Sequence, residues 1–361
     1  MRDTKITQRL ADVRDKLGQI GAEGLLVTGS ANRRWLSGFQ GSYGWLLVTA
    51  DSAFLGTDFR YWEQAQRQAP HFELVRLNKD RTQIDVIRDA HVRQMAIEAQ
   101  HLSLSDYRAL QEVPNVITVE SEGLVEGLRA VKDRDELSHI RAAARITDAA
   151  MDHVREVARL GMTESALAWE LEKVMREAGA SGLAFPVHVA SGPNAARPHH
   201  APGHRALQSG DALIVDLGAT YEGYASDLTR TFYIGSEVSE RFGELFRLVL
   251  KAHDAAIASI RPHMAGREVD AVARDVIASA GHGEDFGHGL GHGLGLEAHE
   301  APRLSPTRAD LALLPGMVTT IEPGVYLPGW GGIRIEDLVL VTEQGAELIS
   351  HSPFKPLLQL A

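Results

Sequence analysis

Twice along this chain an acidic residue stands on each side of a glycine turn between strand-like runs, and no other feature constrains the fold as tightly. The first case is Asp216-Leu-Gly-Ala-Thr-Tyr-Glu-Gly-Tyr-Ala-Ser-Asp227, flanked by ALIVD and DLTRTFYI. Gly223 sits where a tight turn is wanted. A fold-back at Tyr221-Glu222 sets Asp216 opposite Asp227, with Cβ atoms about 4.5–5.5 Å apart on one face. Two carboxylates so close repel unless they are protonated or a cation neutralises them. This register holds only without a bulge, since one extra residue turns a side chain to the other face.

The second case is Glu322-Pro-Gly-Val-Tyr-Leu-Pro-Gly-Trp-Gly-Gly-Ile-Arg-Ile-Glu336, where Pro328, Gly329, Gly331 and Gly332 supply the turn. Glu322 and Glu336 are symmetric about Gly329 and pair across the strands. Arg334 lies two residues before Glu336, on the same face, where it can orient a ligand carboxylate. Between the hairpins runs Gly287-His-Gly-Leu-Gly-His292-Gly-Leu-Gly, followed by His299 and Glu300. Its glycines permit close backbone approach around His292. Four carboxylates and one imidazole, without sulfur, suit a pair of divalent ions such as Mn²⁺, Co²⁺ or Zn²⁺. The charges balance, and a water bridging two such ions becomes a nucleophile at neutral pH.

The rest of the chain fits a two-domain protein. Its 361 residues exceed one ordinary core. A hydrophobic share of 44% beside 24% charged residues marks a globular chain. The net charge of −11 argues against nucleic-acid binding, which needs a basic face. There is no cysteine, so disulfides and thiolate metal sites are excluded. The N-terminal MRDTKITQRLADVRDKL is charged and lacks the apolar core of a signal peptide, and no apolar run of about 18 residues exists to span a membrane. The expectation is a cytoplasmic protein.

Short β-branched or aromatic runs at 24–29, 45–49, 53–58, 72–77, 95–99 and 115–120 alternate with helical candidates at 60–69, 80–90 and 104–112, which predicts a small α/β domain. From Asp133, Leu137, Ile140, Ala144, Met151, Val154 and Ala158 mark a long amphipathic helix. Further helices are expected from Thr163 to Ala178 and from Ser239 to Ile260. Glycine-rich hairpins at 212–234, 317–327 and 331–342 complete an α+β domain. The expected division is 1–128 and 129–361.

The order Asp, Asp, His, Glu, Glu in VDLGATYEGYASDLTRTF, GHGLGHGLGLEAHE, TTIEPGVY and GGIRIEDLVLVT resembles the metallopeptidases with the pita-bread fold. ASGPNAARPHH (190–200) resembles their Xaa-Pro branch, aminopeptidase P and prolidase, and NRRWLSGFQGSYGWLLVT (32–49) resembles that family's N-terminal domain. The resemblance implies an α/β N-terminal domain and an α+β C-terminal pita-bread (creatinase/aminopeptidase) domain. It implies two metal ions, Mn²⁺ first with Co²⁺ or Zn²⁺ as alternatives, held by Asp216, Asp227, His292, Glu322 and Glu336. Asp227 and Glu336 would bridge the ions. His199 and His299 would hold the peptide and stabilise the oxyanion, His288 would lie near the proline pocket, and Glu322 would shuttle the proton. The implied reaction removes the N-terminal residue from short peptides with proline second, in the manner of aminopeptidase P. Prolidase activity is the alternative, a homodimer the implied assembly.

Blander readings apply elsewhere. A lone Asp or Glu on a strand is usually solvated, and His188, His200, His204, His263 and His282 read as surface or local hydrogen-bonding residues. The 133–158 stripe reads as a core face. GHGLGHGLG lacks the strand-then-helix setting of a dinucleotide loop. A dipeptidase needs a cation for the substrate carboxylate, and Arg33, Arg34, Arg197 and Arg205 are the candidates. The rivals are methionine aminopeptidase, creatinase-like enzymes without the metal set, and a non-catalytic peptide-binding module on the same fold; the complete ligand set argues against the last two.

Overall fold

The computed structural model describes residues 2–307 and 311–360. By internal contacts the chain divides into two compact units, Met1–Arg129 and Ala130–Ala361. In the first, strands β1 (Gly24–Val27), β2 (Trp45–Thr49), β3 (Ala53–Thr57), β4 (Glu73–Arg76), β5 (Gln94–Glu98) and β6 (Ile117–Ser121) form one sheet in the order β4-β3-β2-β1-β5-β6. The outer pairs β3–β4, β1–β5 and β5–β6 are parallel and the central pairs antiparallel. Every residue of β1 and β2 is buried, which is why their sequences are unbroken apolar runs rather than alternating ones. The chain opens with the helix Arg2–Gln19, and its Ile6, Leu10, Val13 and Leu17 are buried at spacings of three and four residues. This amphipathic stripe lies inside a segment whose composition reads only as charged.

The second unit begins with the helix Arg134–Val157. Asp133 caps it by accepting from Asp135 and Glu136 backbone N–H groups, while Glu136 bonds back to the Asp133 N–H. Ile140, Ala144, Ala150, Met151 and Val154 form its buried face. Helices Glu164–Glu177, Glu240–Ser259 and Gly266–Ser279 follow. The strands are β7 (Gly182–Leu183), β8 (His188–Ser191), β9 (Ala212–Leu217), β10 (Ala219–Tyr221), β11 (Tyr224–Ala225), β12 (Leu228–Ile234), β13 (Gly291–Gly293) and β14 (Glu300–Leu304). They continue as β15 (Val318–Ile321), β16 (Gly324–Leu327), β17 (Gly331–Arg334), β18 (Asp337–Thr342), β19 (Gly345–Leu348) and β20 (Leu357–Leu358). Among the described residues they form a β20-β12-β9-β8 sheet, a β14-β13-β15-β18-β19 sheet, a small three-stranded β11-β10-β7 sheet and a β16-β17 ribbon. No helix of the described residues is long and apolar enough to cross a membrane.

The two acidic hairpins differ in register. Glu322 and Glu336 stand opposite each other: Ile321 pairs with Asp337 on one side of them and Gly324 with Arg334 on the other, as symmetry about Gly329 predicts. The first hairpin departs from expectation. It turns at Glu222-Gly223, both with positive φ (48° and 76°), and Tyr221 pairs with Tyr224. Asp216 therefore faces Thr229 and not Asp227. The turn needs two residues with positive φ, which Glu222-Gly223 supplies and Tyr221-Glu222 does not. The displacement is two residues, so Asp227 keeps the face that Asp216 and Thr229 occupy.

Candidate active site

A cavity of about 440 Å³ in the second unit is lined by Asp216, Asp227, His292, Glu322 and Glu336. Each comes from a place where a strand is held on both sides or is about to change sheets. Asp216 lies within β9 and His292 at the centre of β13, while Asp227 and Glu336 immediately precede β12 and β18. Glu322 directly follows β15. His292 needs its glycines: a Cβ on Gly293 would stand 2.1 Å from Ala301 O, and one on Gly291 2.0 Å from Thr320 O. The strand can sit between its neighbours only without those side chains.

The donor atoms converge. Asp227, His292 and Glu336 each offer one atom, all within 4.8 Å of one another. His292 Nε2 is 3.4 Å from Glu322 Oε1 and 3.8 Å from Asp227 Oδ2. These are not ion pairs. Burial pushes the His292 imidazole down to about 3, so the ring is neutral. Its Nδ1 donates to Gly293 O at 3.0 Å, which leaves the Nε2 lone pair facing the carboxylates. Burial, and after it the neighbouring carboxylates, hold Asp227 and Glu336 well above the usual range. Burial likewise raises Glu322 to about 7. Asp216 Oδ1 is buried with no hydrogen-bond partner. Clustered carboxylates, a neutral imidazole and an unpartnered buried oxygen together fit divalent cations held by oxygen and nitrogen.

Neighbouring side chains hold these groups in place. Arg334 Nη2 donates to Asp216 Oδ2 at 2.8 Å and Nη1 to the Tyr326 hydroxyl at 3.0 Å. The Thr229 hydroxyl donates to Glu336 Oε2 at 2.6 Å, and that of Thr320 to Glu322 Oε1 at 3.1 Å. Arg230 fixes the backbone of the same strand, donating to Glu336 O at 2.6 Å and Asp337 Oδ1 at 2.7 Å. Thus each hairpin steadies an acid of the other. Arg334 reaches from the second to Asp216, and Thr229 from the first to Glu336.

The sequence-predicted histidines His199, His288 and His299 and also Arg334 line the same cavity. The ring of His299 lies 4.3 Å from that of His292. His288 Nδ1 donates to Gly289 O at 2.8 Å, so its Nε2 accepts from the Tyr326 hydroxyl at 2.9 Å. Burial lowers His288 to about 4, and burial with Arg303 lowers His299. Both rings are held towards the neutral form. His188, read from the sequence as a surface or local hydrogen-bonding residue, makes such a local bond, Nδ1 donating to His200 O at 3.1 Å. It lines the cavity, its ring 6.0 Å from Phe185 and 6.3 Å from His199. His200, next to His199, turns away to Glu164.

Three of the four arginines considered for a substrate carboxylate are engaged elsewhere. Arg33 spans the carbonyls of Gly41 and Gly44, Arg205 is held by Asp211, and Arg197 bonds Asn194. The guanidinium-bearing residues that line the cavity are Arg303 and Arg334. Arg303 carries no motif of its own; only its alternation with Ala301 and Ser305 along β14 and beyond marks its face.

A mixed α/β unit followed by an α+β unit whose paired strands gather four carboxylates and a neutral imidazole defines a metal-dependent hydrolase by its architecture. The model of metallopeptidase family M24 matches residues 138–343, and that of the creatinase/prolidase N-terminal domain matches residues 9–131. The chain belongs to metallopeptidase family M24. It is 39% identical over 348 residues to a Bacillus subtilis (strain 168) protein named uncharacterized peptidase YqhT, covering 96% of this chain and 98% of that one. It superposes on an Xaa-Pro dipeptidase from Bacillus anthracis with TM-score 0.94 and 38% identity, over 98% of this chain and 100% of that one. An X-Pro aminopeptidase from Thermotoga maritima MSB8 gives TM-score 0.86 and 36% identity, over 96% and 100%.

Proposed function

We propose that this peptidase hydrolyses the bond between an N-terminal residue and a following proline, using two divalent ions, Mn²⁺ first. The observation that carries the reading is the carboxylate–imidazole cluster in one cavity of a chain that superposes on Xaa-Pro enzymes along nearly its whole length. Asp216, Asp227, His292, Glu322 and Glu336 would hold the ions, the donor atoms of Asp227, His292 and Glu336 lying within 4.8 Å of one another. Bound there, the ions supply an acidified water and polarise the scissile carbonyl. Glu322 takes the proton from the attacking water and passes it to the departing imino nitrogen. His199 holds the bound peptide, and the neutral His299 imidazole N–H on the scissile carbonyl oxygen stabilises the charge that oxygen gains. Arg334 keeps Asp216 in place. Proline's tertiary amide has no N–H, so a site for it must bind the ring; Phe185, Pro198 and His288 supply wall area for that.

The superposition on an Xaa-Pro dipeptidase at TM-score 0.94 supports the dipeptidase form over the aminopeptidase form, and Arg303 adds positive charge to the cavity wall that a short substrate's free carboxylate would meet. Hydrolysis of Gly-Pro, Gly-Pro-Pro and Gly-Ala by chelator-stripped protein, with and without Mn²⁺, tests both levels. Metal-dependent cleavage confined to the proline peptides is expected, with Gly-Pro the faster. A faster Gly-Pro-Pro would restore the aminopeptidase reading, and folded protein inert on all three would overturn the function.

A further inference from the structure

One buried acid outside the metal-type cluster accepts five hydrogen bonds. Glu164, the first residue of the helix Glu164–Glu177, is fully buried. Its Oε1 accepts from the Ser191 N–H at 2.8 Å, the Ser191 hydroxyl at 2.7 Å and Asn194 Nδ2 at 2.9 Å. Its Oε2 accepts from His200 Nε2 at 2.8 Å and the Gly203 N–H at 3.2 Å. Burial alone would raise its pKa, but these bonds outweigh it and the carboxyl lies below the usual range, so Glu164 is ionised. The backbone joins in: Glu164 N–H donates to Arg205 O and Ser165 N–H to Gly203 O, both at 3.0 Å.

These bonds grip both ends of one segment. Ser191 and Asn194 stand at its start, His200, Gly203 and Arg205 at its end. Between the grips lie Pro198 and His199, which line the cavity. The same segment meets the site at two further points. His188 Nδ1 donates to His200 O at 3.1 Å, and Arg334 Nη1 to Pro198 O at 3.3 Å. His199 and His200 share one turn, closed by the His200 N–H on Arg197 O at 3.1 Å, so anchoring His200 on Glu164 also fixes where its neighbour His199 stands in the cavity wall.

We infer that Glu164 is a positioning residue for substrate binding: through His200 it sets the 191–205 segment so that His199 meets the peptide. Its effect on kinetics rests on the proposed role of His199, whereas its effect on the segment does not. In Glu164→Gln the side chain keeps its size, but its amide nitrogen sets a donor against one of the donors it replaces an acceptor for. Two readouts follow. Hydrogen exchange at the amides of 191–203 accelerates in E164Q, with or without catalysis. For Gly-Pro, KM rises roughly tenfold or more while kcat changes less, and calorimetric Mn²⁺ binding stays at the wild-type value.

The variant H199A gives the same KM signature, and the E164Q/H199A double variant is no worse than H199A, because both act on one contact. His200→Ala, which removes one of the five bonds, repeats the effect in weaker form and serves if E164Q does not fold. Unchanged exchange in E164Q and H200A overturns the inference. So does an additive double variant, or a wild-type KM in E164Q and H200A where H199A raises it. If H199A leaves KM at the wild-type value, the substrate role of His199 fails instead, and exchange alone decides the role of Glu164.

Discussion

The two acidic hairpins bring carboxylates to one cavity by different geometry. In the second, one register runs from β15–β18 into β16–β17, and Glu322 and Glu336 lie directly opposed where the chain passes from sheet to ribbon. In the first, Asp216 sits within the β9–β12 ladder facing Thr229, and Asp227 lies two residues along on the same face. The difference separates two properties of a strand pair. Which residues face each other depends on the turn; which face a residue occupies depends only on parity. A displacement of two keeps all four acids on the cavity side, and a displacement of one would have sent Asp227 to the opposite face. The hairpins are also tied crosswise, by Arg334 to Asp216 and Thr229 to Glu336.

If the diagonal pair and the opposed pair serve the same ions, Asp227→Asn and Glu336→Gln each abolish Gly-Pro cleavage and lower the Mn²⁺ stoichiometry measured by calorimetry. Activity surviving one change and not the other would break the equivalence. The crosswise tie is tested by Thr229→Val, which removes the hydroxyl on Glu336 and is expected to weaken Mn²⁺ binding or kcat/KM roughly 10- to 100-fold. A wild-type titration would mean that the hairpins hold their acids independently.

Smaller effects concern stability. In metal-free protein Glu322 rises from an ordinary 4.5 to about 7, and Asp227 and Glu336 rise as well. The folded state then binds protons more tightly than the unfolded state. Stability from this source is full below pH 4.5 and falls as pH rises through 7. Added Mn²⁺ removes the decline, and thermal melts from about pH 5 to 8 in chelator and in Mn²⁺ read both slopes. A flat profile in chelator would show that burial and the neighbouring acids do not raise these carboxyls. Least of all, Gly329→Ala places a side chain at φ 82° with nothing within 4 Å of the new Cβ. It is expected to cost about 1 kcal/mol in denaturant unfolding and leave kcat/KM unchanged. A loss of activity would show that the second turn also sets the acids.

Some features were legible because they are local. The capped helix from Asp133, the apolar runs of β1 and β2, and the symmetry of Glu322 and Glu336 about Gly329 each follow from spacing along a few turns of chain. The opening helix was hidden, since Ile6, Leu10, Val13 and Leu17 are diluted by charge and only their burial shows the stripe. His188 and His200 are chemically alike and close in sequence. One faces the cavity and the other faces Glu164, and no spacing rule separates them.

By itself, then, the sequence determined the residue types the chemistry requires, their order, and the parity that sets them on one face. Those depend on covalent connectivity and the twofold repeat of a strand. The tertiary structure decided the partner of each group: Arg334 on Asp216, Thr229 on Glu336, Glu164 beneath His200, Arg303 in the cavity wall. Such contacts join residues far apart along the chain. Their geometry is set when sheets and helices pack, and burial then shifts the pKa values that make the site want a cation.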